Sequence, residues 1–143
     1  MYLKFYQLQE FPFSITCDDR FFFESAVHTE ALANMLYTVQ QRKGMVLITG
    51  EVGAGKTFVG NMLSNRLGPG CTTVVMRNPP QSAKQLLGAV ARRIGMEPPS
   101  GRDKLALIDN LEQHLIRLHQ RGRLVALILD ECQDLPPGSL EEI

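Results

Sequence analysis

Gly50-Glu51-Val52-Gly53-Ala54-Gly55-Lys56-Thr57 fits the pattern G-x-x-x-x-G-K-[ST], and its two flanks decide how it folds. Before it runs the apolar stretch Met45-Val46-Leu47-Ile48-Thr49, which reads as a buried strand; after it, Phe58-Val59-Gly60-Asn61-Met62-Leu63 reads as a helix. Strand, glycine loop and helix in that order predict a phosphate-binding loop. The glycines let the backbone turn tightly and aim N–H groups at phosphate oxygens, while the positive end of the following helix favours the anion. The expected nucleotide-binding residues are therefore Gly50, Glu51, Val52, Gly53, Ala54, Gly55, Lys56, Thr57 and the adjoining Phe58. In this pattern Lys56 reaches the β and γ phosphates and takes a catalytic part, and Thr57 offers its hydroxyl to Mg²⁺.

The rest of the chain sets bounds on that reading. A length of 143 residues suits a single domain with room for one core. Lys plus Arg number 15 and Asp plus Glu number 15, so no net charge advertises a nucleic-acid or membrane-surface partner, and DNA binding has no support from charge. Cys17, Cys71 and Cys132 are odd in number and far apart, without a C-x-x-C pair, and read as reduced thiols of a cytosolic protein. His114 and His119 stand five apart, which misses the i, i+4 spacing that puts two ligands on one helix face. The longest purely apolar run, Leu124-Val125-Ala126-Leu127-Ile128-Leu129, is far short of the ~20 residues that span a bilayer. The opening residues lack the basic, apolar and cleavage regions of a secretory leader, so the expected location is the cytoplasm.

Outward from the glycine loop, the elements alternate. The N-terminal segment, with Phe5, Tyr6, Phe11, Phe13, Phe21, Phe22 and Phe23 interrupted by Pro12, reads as a packed irregular leader. From Ser25 a helix is expected, with Ala31, Leu32, Met35, Leu36 and Val39 on its apolar face and Gly44 closing it. Beyond Leu67-Gly68-Pro69-Gly70, the run Thr72-Thr73-Val74-Val75-Met76 predicts a strand that ends at Asn78-Pro79-Pro80. Ser82 is positioned to cap a helix bearing Leu86, Leu87, Val90 and Ile94 and ended by Gly95. Ser100 and Asp103 start another with Leu105, Ile108, Leu111 and Leu115 on its stripe. Arg117, Arg121 and Arg123 gather at its end, where the helix dipole favours cations, which explains them better than a phosphate-backbone patch does. Strands separated by helical crossovers specify an α/β domain with a mostly parallel sheet.

A third strand, Leu124 to Leu129, is apolar without alternation, as expected of a parallel strand covered on both faces, and it ends in Asp130-Glu131. At the C-terminal edge of such a sheet, where the glycine loop also lies, Asp130 is placed to hold Mg²⁺ and Glu131 to accept a proton from the water that attacks the γ phosphate. Both halves of one Mg-nucleotide site then occur in the right order. No N-K-x-D-like guanine-reading sequence is present, which favours ATP over GTP.

Met1-Tyr2-Leu3 through Phe11-Pro12-Phe13, Asp18-Asp19-Arg20-Phe21-Phe22-Phe23, His28-Thr29-Glu30-Ala31-Leu32, the glycine loop, Asn78-Pro79 and Leu129-Asp130-Glu131-Cys132-Gln133 together resemble the AAA+ ATPases of the general secretion pathway protein A type. The resemblance covers essentially the whole chain. It departs at Cys17, where these proteins usually carry Pro, and at Cys132, where they usually carry Ala.

The resemblance implies an AAA+ P-loop NTPase core over residues 1–143, with a leader over 1–24 and the site between 45 and 135. It also implies a cytoplasmic ATPase that binds ATP and Mg²⁺ and works as a homo-oligomer, in some members joined to a membrane helix and a peptidoglycan-binding region. Related ATPases serve DNA transposition instead, so an ATP-controlled DNA-binding regulator, or an inactive nucleotide-binding fragment, are the alternatives to a motor module. Pro12, Phe13 and His28 become candidates for contact with the base. Such ATPases continue to a sensor strand, a trans-acting arginine and a helical lid, which are expected beyond Ile143, and the sheet within these residues is expected to lack a central member.

Overall fold

An apolar strand exists by pairing, and β1 (Cys71–Met76) finds its partner in β2 (Leu124–Leu129). The two run parallel, in a register that sets Cys71 opposite Leu124 and Met76 opposite Leu129. Backbone bonds extend the ladder at both ends, from Leu124 N–H to Gly70 O (3.1 Å) and from Asp130 N–H to Met76 O (2.8 Å). The computed structural model describes residues 2–11, 22–98 and 103–141. The chain forms two compact units, Met1–Leu63 and Ser64–Ile143.

In the unit Ser64–Ile143 a parallel pair requires a crossover, and two helices supply it: α4 (Ala83–Arg93) and α5 (Lys104–Gln120). Leu86, Leu87, Val90 and Ala91 of α4 recur at helical spacing and bury with Leu107 and Leu111 of α5 against Val74 and Met76 of β1. Leu86 and Ala91 are 0% exposed, which places the centre of this core under α4. Val125, Leu127 and Leu129 of β2 pack on the same cluster, while Leu124 and Ile128 stay half-buried. Val125, Leu127 and Leu129 are themselves only partly buried, and Ala126 is the buried residue of β2, so the expected full cover on both of its faces is partial. The fold is α/β with a parallel sheet and flanking helices, as the sequence predicts.

Helix ends follow their residue chemistry, with two exceptions. Asp103 caps α5, its Oδ1 accepting from Leu105 N–H at 2.9 Å. Gly95 (φ 81°) ends α4, and Met96 N–H returns to Ala91 O at 2.9 Å, the closure that a left-handed residue permits. Ser82 stands at the N-cap of α4 but makes no side-chain cap bond there. Ser100 lies outside the described residues. His114, half-buried on α5, reaches Ile94 O at the end of α4 (3.3 Å), so it ties the two crossover helices together. Arg117 Nε donates to Gln113 O of its own last turns at 3.2 Å, and Arg117, Arg121 and Arg123 are exposed, the helix-end arrangement expected of them.

In the unit Met1–Leu63, α1 (Tyr2–Phe5) and α2 (Ala26–Gln40) precede α3 (Lys56–Arg66), which begins in it. Leu32 and Met35 of α2 are buried, with Ala31, Leu36 and Val39 half-buried on the same stripe. α2 stops before Gly44: Arg42 takes the left-handed position (φ 52°) and Lys43 N–H closes on Thr38 O at 2.9 Å.

Two expectations fail here. Residues 45–49 form no strand, and Met45 and Leu47 are each 75% exposed. Apolar character alone does not make a strand without a ladder, and this unit's described residues hold no second strand to provide one. Among the described leader residues, Phe5 is 80%, Phe11 57% and Phe23 82% exposed, so these rings are not packed into a core, and the edge-on contacts Tyr2–Phe11 and Phe5–Tyr6 join neighbouring rings. Pro12, Phe13, Cys17 and Phe21 lie outside the described residues. No helix among the described residues is long and apolar enough to cross a membrane.

Candidate functional site

Residues 50–57 wrap the start of α3. Ala54 N–H turns back to Glu51 O (3.2 Å), and Val59 N–H takes Gly55 O (3.0 Å) as the first helical bond. Gly53 (φ 79°) and Gly55 (φ 83°) both lie in the left-handed region, where a side chain costs roughly 1–2 kcal/mol, so the loop's path needs glycine at these two positions. Val52 stands fully exposed at the crest. Lys56 opens α3 and curls its ammonium over the loop, donating to Gly50 O (2.9 Å) and Glu51 O (2.8 Å). Thr57 is exposed in the first helical turn, and the half-buried Phe58 follows it.

Behind this loop stands the start of α2. Ser25, the N-cap, accepts from His28 N–H at 3.3 Å, and its hydroxyl lies 2.8 Å from His28 Nδ1. The other ring nitrogen, Nε2, lies 2.9 Å from Ala54 O. Phe22 stacks on Phe58 with centroids 5.3 Å apart and planes at 16°, and its ring also meets His28 at 6.1 Å. The pattern of residues 50–57 does not reveal these partners. Ser25 three residues before His28 is a capping spacing, and that was the available signal. Both ring nitrogens of His28 are thus engaged, one with the cap of α2 and one with the loop.

The acidic pair follows β2. Asp130 continues the ladder through its N–H, and its Oδ1 accepts from Glu131 N–H at 3.0 Å. Glu131 lies in the left-handed region (φ 55°, ψ 40°) and leads into a 3₁₀ turn, Cys132–Asp134. Gln133 Nε2 donates to Glu131 Oε2, a contact that the pattern of acids does not announce. Cys132 donates its S–H to Leu129 O at 3.2 Å, and burial, then the negative charges of Asp130 and Glu131, push its thiol above the ordinary range, so it stays the protonated donor this bond requires. Leu135 buries behind the turn, and α6 (Pro137–Leu140) is tied down by Ser139 Oγ, 4% exposed as a residue, which donates to Gln81 O at 2.7 Å.

The structure places residues 50–58 together on one loop and helix start, and Asp130 with Glu131 together at one strand end, each group within its own unit. Comparison with known proteins bears on both. A family model described as an AAA domain matches residues 39–143. The chain is 34% identical, over all 143 of its residues, to General secretion pathway protein A of Aeromonas hydrophila, and it spans 26% of that relative's length. No solved structure matches.

Proposed function

This chain belongs to the AAA domain family, and on that premise we propose that it binds ATP at residues 50–58 and hydrolyses it with Asp130 and Glu131. The observation that carries the reading is the loop: Gly53 and Gly55 take left-handed backbone, and Lys56 opens an 11-residue helix with its ammonium folded over loop carbonyls. A phosphate at this helix start meets oriented N–H groups. It also offers Lys56 charged oxygens in place of two neutral carbonyls, and such charge-assisted bonds are roughly twice as strong.

Thr57, exposed in the first turn of α3, and Asp130, at the end of β2, each carry a hard oxygen of the kind that would hold Mg²⁺. When bound, Mg²⁺ offsets the charge of the phosphates. Glu131 is exposed next to Asp130, and its carboxylate takes the proton of the attacking water. The similarity to General secretion pathway protein A supports a place in a secretion-pathway ATPase module, and membership of the AAA family supports action as a homo-oligomer; a cytoplasmic location is part of the proposal.

Titration with a fluorescent ATP analogue tests the site. Lys56→Ala removes the cation of the cradle, and we expect affinity to fall by roughly 10- to 100-fold, since each 1.4 kcal/mol is tenfold and a hydrogen bond to a charged group is worth ~1.5–3 kcal/mol net. Unchanged affinity in the variant moves the nucleotide site away from residues 50–57.

A further inference from the structure

We propose that Ser25 and His28 are positioning residues of the phosphate loop, a latch that holds the Ala54–Gly55 peptide in the orientation that receives phosphate. The proposal rests on the nucleotide reading above and assigns a regulator of affinity to that same site.

The protons are fixed by the partners. A carbonyl oxygen only accepts, so the 2.9 Å contact to Ala54 O puts a hydrogen on His28 Nε2. In the neutral ring Nδ1 is then an acceptor, so the Ser25 hydroxyl donates to it at 2.8 Å while accepting from His28 N–H at 3.3 Å. Every polar atom of the latch is engaged. Because Ser25 is also the N-cap of the 15-residue α2, the ring is anchored to a helix end and not merely to a free side chain.

The loop is shaped to receive it. A Cβ built at Gly55 would lie 3.0 Å from His28 Nε2, and Gly55 also has φ +83°, so glycine is required here both by its backbone angle and by the imidazole's approach. In a trans peptide the C=O and the next N–H point opposite ways. Holding Ala54 O on His28 therefore fixes the direction of the Gly55 N–H, one of the donors that a phosphate-binding loop presents. On the far side, Phe22 links the latch to the first turn of α3 by stacking on Phe58 while its ring meets His28.

The test uses the 143-residue chain with three substitutions: His28→Phe keeps the ring and loses the donor, His28→Gln restores a donor, and Ser25→Ala frees Nδ1. Affinity is measured by displacement of a fluorescent ATP analogue with ATP and with inorganic tripolyphosphate, which has no base. Expected is a loss of roughly 5–10-fold in His28→Phe, the equivalent of one net hydrogen bond of about 1 kcal/mol, equal for the two ligands, with recovery in His28→Gln and a smaller loss in Ser25→Ala. Loss for ATP with none for tripolyphosphate would make His28 a base contact and overturn the latch, as would wild-type affinity in His28→Phe. Hydrogen exchange at the Ala54 and Val59 amides of the ligand-free chain separates this from the nucleotide reading. If Lys56→Ala leaves ATP affinity intact, that reading fails while exchange still reports on the latch, where equal rates in the wild type and His28→Phe overturn it and faster exchange in His28→Phe, reversed in His28→Gln, upholds it.

Discussion

Gly55 and Glu131 share a left-handed backbone, φ 83° in the glycine loop and 55° after β2, yet the two regions reach it by different means. At Gly55 the residue type permits the conformation at no steric cost, so the loop's shape is written locally in its sequence. At Glu131 the conformation opposes the residue's own preference and is held from outside. Its N–H is fixed on Asp130 Oδ1, its carboxylate on Gln133, and the 3₁₀ turn that follows is anchored by the buried Leu135. A region whose residues permit its shape adopts it without backbone strain, whatever contacts then orient it; a region shaped by its contacts carries strain at the residue proposed to do the chemistry, a pattern common at functional sites.

The largest effect expected from this contrast separates binding from turnover. Glu131→Gln keeps the shape and the hydrogen bonding of the side chain but cannot take a proton, so phosphate release in an assembly that turns over should fall by ~10²–10⁴-fold while ATP affinity holds. Normal turnover would remove Glu131 from the reaction and leave it a strained turn with no chemical role.

On the loop side the order reverses, since binding should be lost first. Gly55→Ala meets both the positive φ and His28 Nε2 at 3.0 Å, whereas Gly53→Ala at φ 79° meets nothing within 4 Å. The backbone penalty of roughly 1–2 kcal/mol is common to the two, so Gly53→Ala should weaken ATP binding or stability by about that much and Gly55→Ala by more. Titration and denaturant melts of both variants check the ranking. Equal costs would show that the imidazole yields and that its approach to the loop is incidental.

How much of this was legible in the sequence follows the same line. Where a residue's own chemistry decides, the reading held: Gly95 ends α4, Asp103 caps α5, and the stripes of α2 and α4 bury as their spacing dictates, whereas on α5 Leu111 buries with Leu107 and the expected Leu105 is 71% exposed. Where a partner decides, it did not. Residues 45–49 have the composition of a strand without its ladder, Phe5, Phe11 and Phe23 have bulk without a core to cover, and α2 closes on Arg42 because the bond from Lys43 to Thr38 forms there, two residues short of the glycine. In the site, residues 50–57 were visible because phosphate binding demands particular residue types at fixed spacing. The Ser25–His28 latch and the Gln133 contact were not, because a histidine or glutamine acquires such a role only from what the fold sets beside it.

The smallest expected effect is also the one with the less intuitive sign. Glu131→Gly removes a carboxylate and its contact with Gln133, while the backbone N–H keeps its bond to Asp130 Oδ1, yet it relieves a left-handed strain of roughly 1–2 kcal/mol. Against this stand the extra freedom of glycine in the unfolded chain, ~0.4–1 kcal/mol, and the loss of an exposed amide–carboxylate bond, which solvent largely replaces. The balance favours the variant by about 0.5 kcal/mol, enough to move a denaturation midpoint upward by a small, measurable amount. Glu131→Ala loses the same contact and keeps most of the strain, so its midpoint should not rise. A rise in the glycine variant alone identifies the backbone as the source and confirms that this turn holds its glutamate against a local preference. Equal midpoints in the two variants would mean that the turn accommodates φ 55° without cost, and the contrast with Gly55 would then rest on the loop alone.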